Sequence, residues 1–112
     1  MSTIAPNNVQ IFRINSSGVI LYAKGVLLPQ KVTTNLFSIH PFFEIIPELS
    51  MRKKAYKFPL VHFQKNSEEI VCNVSIMIKS TNITIKLTDM TSVYFVLQKK
   101  EQLKNENFLN NN

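Results

Sequence analysis

The sequence is poor in the residues on which most catalytic and metal sites depend. Its one cysteine, Cys72, cannot form an intramolecular disulfide or a cysteine zinc site, so a hydrophobic core must stabilise the fold. The chain has one aspartate and no Gly-rich phosphate loop, Gly-x-Ser-x-Gly motif or His-Glu-x-x-His motif. We therefore predict that the protein is not an enzyme.

Long apolar runs are also missing. No stretch approaches the ~18 apolar residues of a membrane span, and the start MSTIAPNNVQ lacks the charged beginning and apolar centre of a signal peptide. We therefore predict a cytoplasmic location with no membrane contact by this segment, and a reducing compartment for the lone thiol. A length of 112 residues, 45% of them hydrophobic, predicts one domain with one core.

Acidic residues are few relative to basic ones, and the formal net charge is +6. The basic residues are spread along the chain, with clusters only at Arg52–Lys54 and at Lys99 and Lys100. No aromatic residues alternate with the first cluster, as a surface that stacks nucleotide bases would need. We interpret the charge as a solvated surface and predict no nucleic-acid partner, while a small basic nucleic-acid binder remains a third hypothesis.

The segment Val9–Gly25 predicts a β-hairpin, because β-branched and aromatic residues flank a turn in which Gly18 can take a positive φ. Residues 1–8 are expected to be flexible. The next stretch predicts short helices and loops. One helix is expected within HPFFEIIPEL, where Pro41 suits a first helical position and Pro47 limits the length or forces a new start.

Three more strands are predicted from AYKFPLVHFQ, EEIVCNVSIMIKS and ITIKLTD. From Cys72 to Ile78, and again from Ile83 to Leu87, apolar residues alternate with polar ones, as expected for strands with one buried face. Pro59 indicates an edge position or a bulge, because it cannot donate a hydrogen bond to a neighbouring strand.

The order of the elements predicts an α+β domain, in which a five-stranded antiparallel sheet carries the short helices on one face. After Thr91 the hydrophobic period becomes helical, so a helix is predicted to leave the last strand directly. Asp89 or Thr91 can cap this helix by accepting a hydrogen bond from one of its first amides. The helix dipole also favours a carboxylate there.

These residues resemble a PAS domain, the sensor module of bacterial histidine kinases and nucleotide cyclases. The sequence DMT at Asp89–Thr91 is similar to the Asp-x-Thr signature that closes the last PAS strand, and IFRINSSGVILYA resembles the opening hairpin. The resemblance implies a PAS-like sensor domain over residues 9–91 and a C-terminal signalling helix over residues 92–112, truncated from a longer protein. It also implies a homodimer in which Asp89 and Thr91 relay a change in the sheet to an output kinase or cyclase domain.

The resemblance points away from a resident cofactor. The Asn-Cys-Arg-Phe-Leu-Gln motif of flavin-binding members is absent. Haem-binding members place a histidine on the helix before the third strand. His40 lies near that helix, but because it precedes Pro41 we expect it at the helix start, pointing away from a buried face. We expect no metal, haem or flavin, and allow for an unidentified small ligand.

Six residues are candidates for lining a pocket between helices and sheet: Phe37, Phe42, Phe43, Phe58, His62 and Cys72. The alternative is an ordinary core, the commoner role of aromatic clusters. We predict His62 on the same strand face as Phe58, with a structural role, because no second histidine or carboxylate lies near it in sequence. Cys72 is interpreted as a small buried hydrophobe.

Along the last helix, apolar residues at Val93, Val96 and Leu103 form a heptad pattern that Lys100 and Asn107 interrupt. We interpret the three apolar residues as dimer contacts that need help from the sheet or from further sequence. The alternative is a helix folded back on its own domain.

Two functions therefore compete. The first is a sensory and dimerisation module of a signal-transduction protein, and the second is a stand-alone protein–protein interaction domain whose sheet binds a partner without relaying a signal.

Overall fold

The computed structural model of the chain describes residues 9–49, 54–65, 67–80 and 82–110. Its strands are β1 (Val9–Ile14), β2 (Ile20–Lys24), β3 (Ala55–Lys65), β4 (Glu68–Ile78) and β5 (Ile83–Asp89). Between β2 and β3 lie two 3-10 helices and a single α-helical turn: Leu36–Ser38, Pro41–Ile45 and α1 (Ile46–Leu49). A second α-helix, α2 (Thr91–Asn110), follows β5. The α+β class is confirmed, whereas the expected flexibility of residues 1–8 concerns residues outside those described.

The five strands form one sheet in the order β2-β1-β5-β4-β3, and every neighbouring pair is antiparallel. The first and last strands of the chain thus lie side by side in the centre, and β2 and β3 are the edges. None of the helices in the described ranges is long and apolar enough to cross a membrane.

The predicted opening hairpin is confirmed, and a side chain fixes its turn. The Oδ1 atom of Asn15 accepts hydrogen bonds from the backbone N–H groups of Ser17 and Val19, both at 3.0 Å. Gly18 has a φ of +92°, the left-handed conformation predicted for it. A Cβ at this position would lie 2.6 Å from the ring of Phe37, so the first 3-10 helix packs directly on the turn.

Pro59 lies on the edge strand β3 and in a β-bulge, as predicted. Phe58 pairs with Val74 and Val61 pairs with Cys72, so two residues of β3 oppose one residue of β4. A bulge of this kind inverts the alternation of side chains along the rest of the strand.

One face of the sheet, which we call the core face, is covered by the short helices. Its buried strand residues include Phe12, Ile14, Phe63, Cys72, Val74, Ile76, Ile83, Ile85 and Leu87. Leu36, Phe43 and Ile46 of the short helices belong to the same buried cluster. Pro41 occupies the start of the second 3-10 helix as predicted, and the helix changes to α geometry at Ile46, next to Pro47.

The opposite face, which we call the open face, carries a mixture of polar and basic side chains. The alternation along the strands places Arg13, Tyr22, Lys24, Lys57, His62, Asn73, Ser75, Met77, Thr84, Lys86 and Thr88 on it. These residues are exposed or half-buried, in contrast to those of the core face.

The helix α2 extends away from the sheet. Every described side chain from Phe95 to Lys104 is exposed. The molecule is correspondingly long, with principal extents of 58 × 35 × 25 Å. A helix folded back on its own domain would bury one face of these residues, so that alternative does not describe this chain.

Candidate functional site

The strongest candidate site is the junction between β5 and α2. Strand β5 ends at Asp89 and α2 begins at Thr91, so Met90 alone connects them. The N–H of Met90 donates to the carbonyl oxygen of Val71 on β4 at 2.7 Å. The carbonyl oxygen of Met90 accepts from Tyr94 at 2.8 Å, which makes it the first acceptor of the helix. Pairing with the sheet therefore continues to Met90, the residue directly before the helix.

Thr91 is the centre of the junction. Its N–H donates to Oδ1 of Asp89 at 3.0 Å, and its hydroxyl donates to the same oxygen at 2.6 Å. The hydroxyl oxygen in turn accepts from the N–H of Val71 at 3.0 Å. Thr91 thus joins the last residue of β5, the main chain of β4 and the first turn of α2.

The carboxylate of Asp89 lies where the sequence places a helix cap. It accepts a bond from a first-turn amide that has no partner within the helix, and its negative charge is near the positive end of the helix dipole. A cap of this type stabilises a helix by about 1 kcal/mol.

A second contact attaches the first turn of α2 to the open face. The ring of Tyr94 lies edge-on to that of His62 on β3, with 4.9 Å between ring centroids. Nδ1 of His62 lies 2.7 Å from Oε2 of Glu69 on the paired strand β4. Because His62 and Glu69 are 40% and 43% exposed, this contact contributes little to stability, but it orients the ring on which Tyr94 rests.

The prediction that His62 shares a strand face with Phe58 is wrong. The β3 bulge separates Phe58 from His62, so Phe58 faces the core and His62 faces the open side, away from the candidate pocket. A carboxylate does contact it, because the β3–β4 hairpin brings Glu69 opposite Gln64 and hence next to His62.

Four phenylalanine rings pack together between the short helices and the core face. Phe42 contacts Phe58 edge-on at 5.3 Å, and Phe43 stacks on Phe63 at 5.6 Å between centroids. Phe63 was not among the candidates, although it is almost completely buried. Phe37 lies apart from this cluster, on the β1–β2 turn. Such mutual contacts are those of a core, the alternative given for these aromatic residues.

Cys72 is fully buried on β4, as the alternation of its strand predicted. Burial, followed by the negative charge of Asp89 on the neighbouring strand, raises the pKa of its thiol to about 12. The thiol is therefore protonated at neutral pH and is a poor nucleophile or metal ligand. Within the described ranges, no three side chains of the metal-binding types come together.

His40 does not point away from the core, contrary to expectation. It caps the second 3-10 helix, with its Nδ1 accepting from the N–H of Phe42 at 3.1 Å. Its ring packs on that of Phe63 with 4.8 Å between centroids. Partial burial lowers the pKa of His40, which agrees with an unprotonated Nδ1 that accepts a hydrogen bond.

The candidate dimer residues are all accessible. Val93, Val96 and Leu103 are 48%, 55% and 51% exposed. At 100° per residue they share one side of α2 with Leu97, which is 51% exposed and was missed because it falls outside a strict heptad. The side chain of Asn107 lies outside the described residues. The four apolar residues form what we call the α2 stripe.

Sequence reasoning found Asp89 and Thr91 but missed Val71 and Tyr94. Tyr94 follows Thr91 by three residues, a helical spacing from which its position in the first turn of α2 could have been predicted. The contact between Val71 and Thr91 could not be predicted from the sequence, because the two residues are 20 positions apart.

Comparisons with family models, with curated proteins and with solved structures found no match for this chain.

Proposed function

We propose that the chain is a PAS-like sensory and dimerisation module that relays a change in its sheet to an output domain through α2. The element order and the sequence DMT at the junction support the resemblance. The five-stranded antiparallel sheet, with short helices on one face and a helix leaving its central strand, is compatible with that fold.

The single observation that carries the proposal is the bonding of Thr91. One side chain bonds both to the carboxylate of Asp89 on β5 and to the main chain of Val71 on β4. The direction of α2 then depends on how these two strands lie relative to each other, because no flexible loop separates them. A ligand or partner that shifts β4 against β5 changes the direction of the helix.

Dimerisation is the second part of the proposal. The α2 stripe leaves four apolar side chains in solvent, and pairing with the same stripe of a second copy would remove them from water. Because few heptads are involved, the pairing is weak and adjustable. A helix that relays a signal needs that adjustability.

The relay is tested by fusing the chain through α2, in heptad register, to the dimerisation and catalytic domains of a histidine kinase. Thr91→Val keeps the shape of the side chain and removes all hydroxyl bonds, whereas Thr91→Ser keeps the hydroxyl. We expect Thr91→Val to change autophosphorylation about fivefold or more, the size of a typical allosteric coupling, and Thr91→Ser to change it little. Equal output from wild type and Thr91→Val, with unchanged circular dichroism, would reduce Thr91 to a cap.

Sedimentation of the 112-residue chain tests the dimer. Val96→Glu places a charge in the α2 stripe, and Phe95→Glu places the same charge on the other side of the helix. We expect the first variant to sediment as a monomer at concentrations at which wild type and the second are dimers. A wild-type monomer at every concentration would remove the dimer from the proposal.

A stand-alone interaction domain is the second candidate. It is favoured by exposed apolar residues on and after the edge strand β2, where Leu21 is 49% and Val26 54% exposed. An edge strand can add a strand from a partner. If Thr91→Val leaves the fusion output unchanged and sedimentation finds no helix-dependent dimer, this candidate replaces the first.

A further inference from the structure

A groove of about 500 Å³ lies on the open face beside the β3 bulge. Its polar lining comes from three strands and consists of Lys57, Asn73, Ser75, Lys86 and Thr88. Pro59 adjoins it at the bulge as the apolar side chain, while Phe58 and Val74 also border the groove although their side chains belong to the core face. The volume is in the range of small-molecule sites, which combine an apolar wall with a few polar groups.

The strand registers place the two lysines on either side of Ser75. Lys57 pairs with Ser75, and Ser75 pairs with Lys86, so the three residues form one row across β3, β4 and β5. Strands lie about 4.8 Å apart, so the lysine Cα atoms are separated by roughly 10 Å. Flexible four-carbon stems allow both ammonium groups to reach one anion above Ser75.

No carboxylate is among the residues that line the groove. Glu69 lies on the same face of β4, but it is six residues from Ser75, or about 20 Å, and it contacts His62. Within the described ranges no ion pair involves Lys57 or Lys86. Two positive charges therefore flank the groove without an acidic partner among the residues that the structure describes.

The bulge beside the groove holds a strained residue. Leu60 has a φ of +52°, a conformation that costs a leucine free energy, and its N–H donates to Oδ1 of Asn73 at 3.0 Å. Asn73 lines the groove, and no described residue accepts a hydrogen bond from its Nδ2. Strain and bulges of this kind are concentrated at functional sites.

We propose that this groove binds a small organic phosphate. The phosphate lies between Lys57 and Lys86 and accepts hydrogen bonds from Ser75 and Asn73, while the organic part packs against Pro59. A phosphate monoester suits the site because it carries about two negative charges at neutral pH and has three acceptor oxygens. The groove is on the face opposite the aromatic cluster and uses no residue of the β5–α2 junction, so the relay and this site stand or fall separately.

A nucleic acid is the competing polyanion, and the observations favour the small ligand. The groove is confined to three strands. At the other end of the open face Arg13 lies over the ring of Tyr22, with 5.3 Å between Cζ and the ring centroid. A single-stranded nucleic acid would need basic and stacking groups along a continuous track.

The test is a titration of the ¹⁵N-labelled full chain with phenyl phosphate, followed by amide chemical shifts. We expect saturable shifts at residues of the groove, and competition by inorganic phosphate. Lys57→Gln and Lys86→Gln should each weaken binding about threefold, and the double variant about tenfold, as for exposed ion pairs. Lys99→Gln is the matched control, because it removes the same charge from an exposed position on α2, away from the groove, and should change binding little.

Several outcomes would overturn the proposal. Phenol binding as tightly as phenyl phosphate would show that the charge has no role. Equal loss with Lys99→Gln would assign binding to the general positive field. Tighter binding of single-stranded DNA, with shifts along the whole open face, would replace the small ligand by a nucleic acid. Absence of saturable shifts with phenyl phosphate would leave the groove without this function.

Discussion

The two faces of this sheet are made by the same strands, yet they differ in almost every physical property. Ile76 and Met77 are consecutive residues of β4, and the first is fully buried while the second is 47% exposed. Side chains of the core face pack against helices, and those of the open face meet solvent, the first turn of α2 and the lysine-lined groove. The buried side chains of the core face supply most of the stability, whereas the side chains of the open face remain accessible to a ligand or a partner.

Both faces contact the β5–α2 junction. Asp89 ends β5 on the core-face side and is adjacent to Cys72 on β4. Tyr94 rests on His62 on the other side. The first turn of α2 is therefore attached to groups on both sides of the sheet, which is the physical reason for proposing the junction as the relay.

The largest expected effect is the difference in stability between a substitution at Ile76 and one at Met77. Ile76→Ala removes fully buried atoms and should lower the free energy of unfolding by about 2–5 kcal/mol, because a cavity remains. Met77→Ala on the open face should cost less than about 1 kcal/mol. Urea denaturation of both variants, followed by circular dichroism, measures the difference. Similar losses at the two positions would mean that the open face is covered in solution.

The reactivity of a thiol on each face of β4 tests the same difference between the core face and the open face. With a pKa of about 12, Cys72 is about one part in 10⁴ thiolate at pH 8, so native protein should react with a disulfide reagent only as fast as it unfolds. A Cys72→Ala, Met77→Cys double variant carries its thiol on the open face of the same strand. We expect it to react at least about a thousandfold faster.

The raised pKa of Cys72 also has a consequence for stability. As pH rises above the ordinary thiol value of 9.0, the unfolded chain loses its proton first, and the folded chain does so only near 12. This contribution is therefore complete below pH 9 and is lost between pH 9 and 12, at about 1.4 kcal/mol per pH unit. Cys72→Val should have a shallower decline in that range, and an equal decline would contradict the assignment.

Much of the fold could be predicted because alternation is a local signal. It identified the hairpin from Val9, the buried residues of β4 and β5 and the position of Pro59, all of which the structure confirms. The orientation of His62 could not be predicted, because a bulge adds one residue at a point that only the pairing with β4 defines. The position of His40 was wrong for a similar reason, since the ring it meets, Phe63, lies far along the chain.

The two candidate sites also differ in how far the sequence predicts them. Asp89 and Thr91 are close in sequence, and their spacing predicts a cap. The row of Lys57, Ser75 and Lys86 exists only through two strand registers, and sequence alone gave no reason to group these residues. Long-range register is the information that a single sequence does not contain.

A smaller effect is expected at the bulge. Asn73→Ala removes the acceptor of the Leu60 N–H, a half-buried donor on a strained residue, and should cost about 1–2 kcal/mol. Ser75→Ala changes the next residue of the open face on the same strand and should lie within about 0.5 kcal/mol of wild type. Urea midpoints of the two variants provide the measurement, and equal midpoints would show that Asn73 does not hold the bulge.

The smallest expected effect is a loss of stability in acid. It concerns His40, whose ring packs on Phe63 of the core face. Partial burial lowers its pKa, so as pH falls through 6.5 the unfolded chain takes up a proton before the folded chain does. The contribution of His40 is therefore complete above pH 6.5 and is lost as pH falls below it. His40→Asn keeps a side-chain acceptor for the Phe42 N–H and does not titrate. Between pH 7.5 and 5.0 wild type should lose more unfolding free energy than His40→Asn, and a parallel loss in the two proteins would place the acid sensitivity elsewhere.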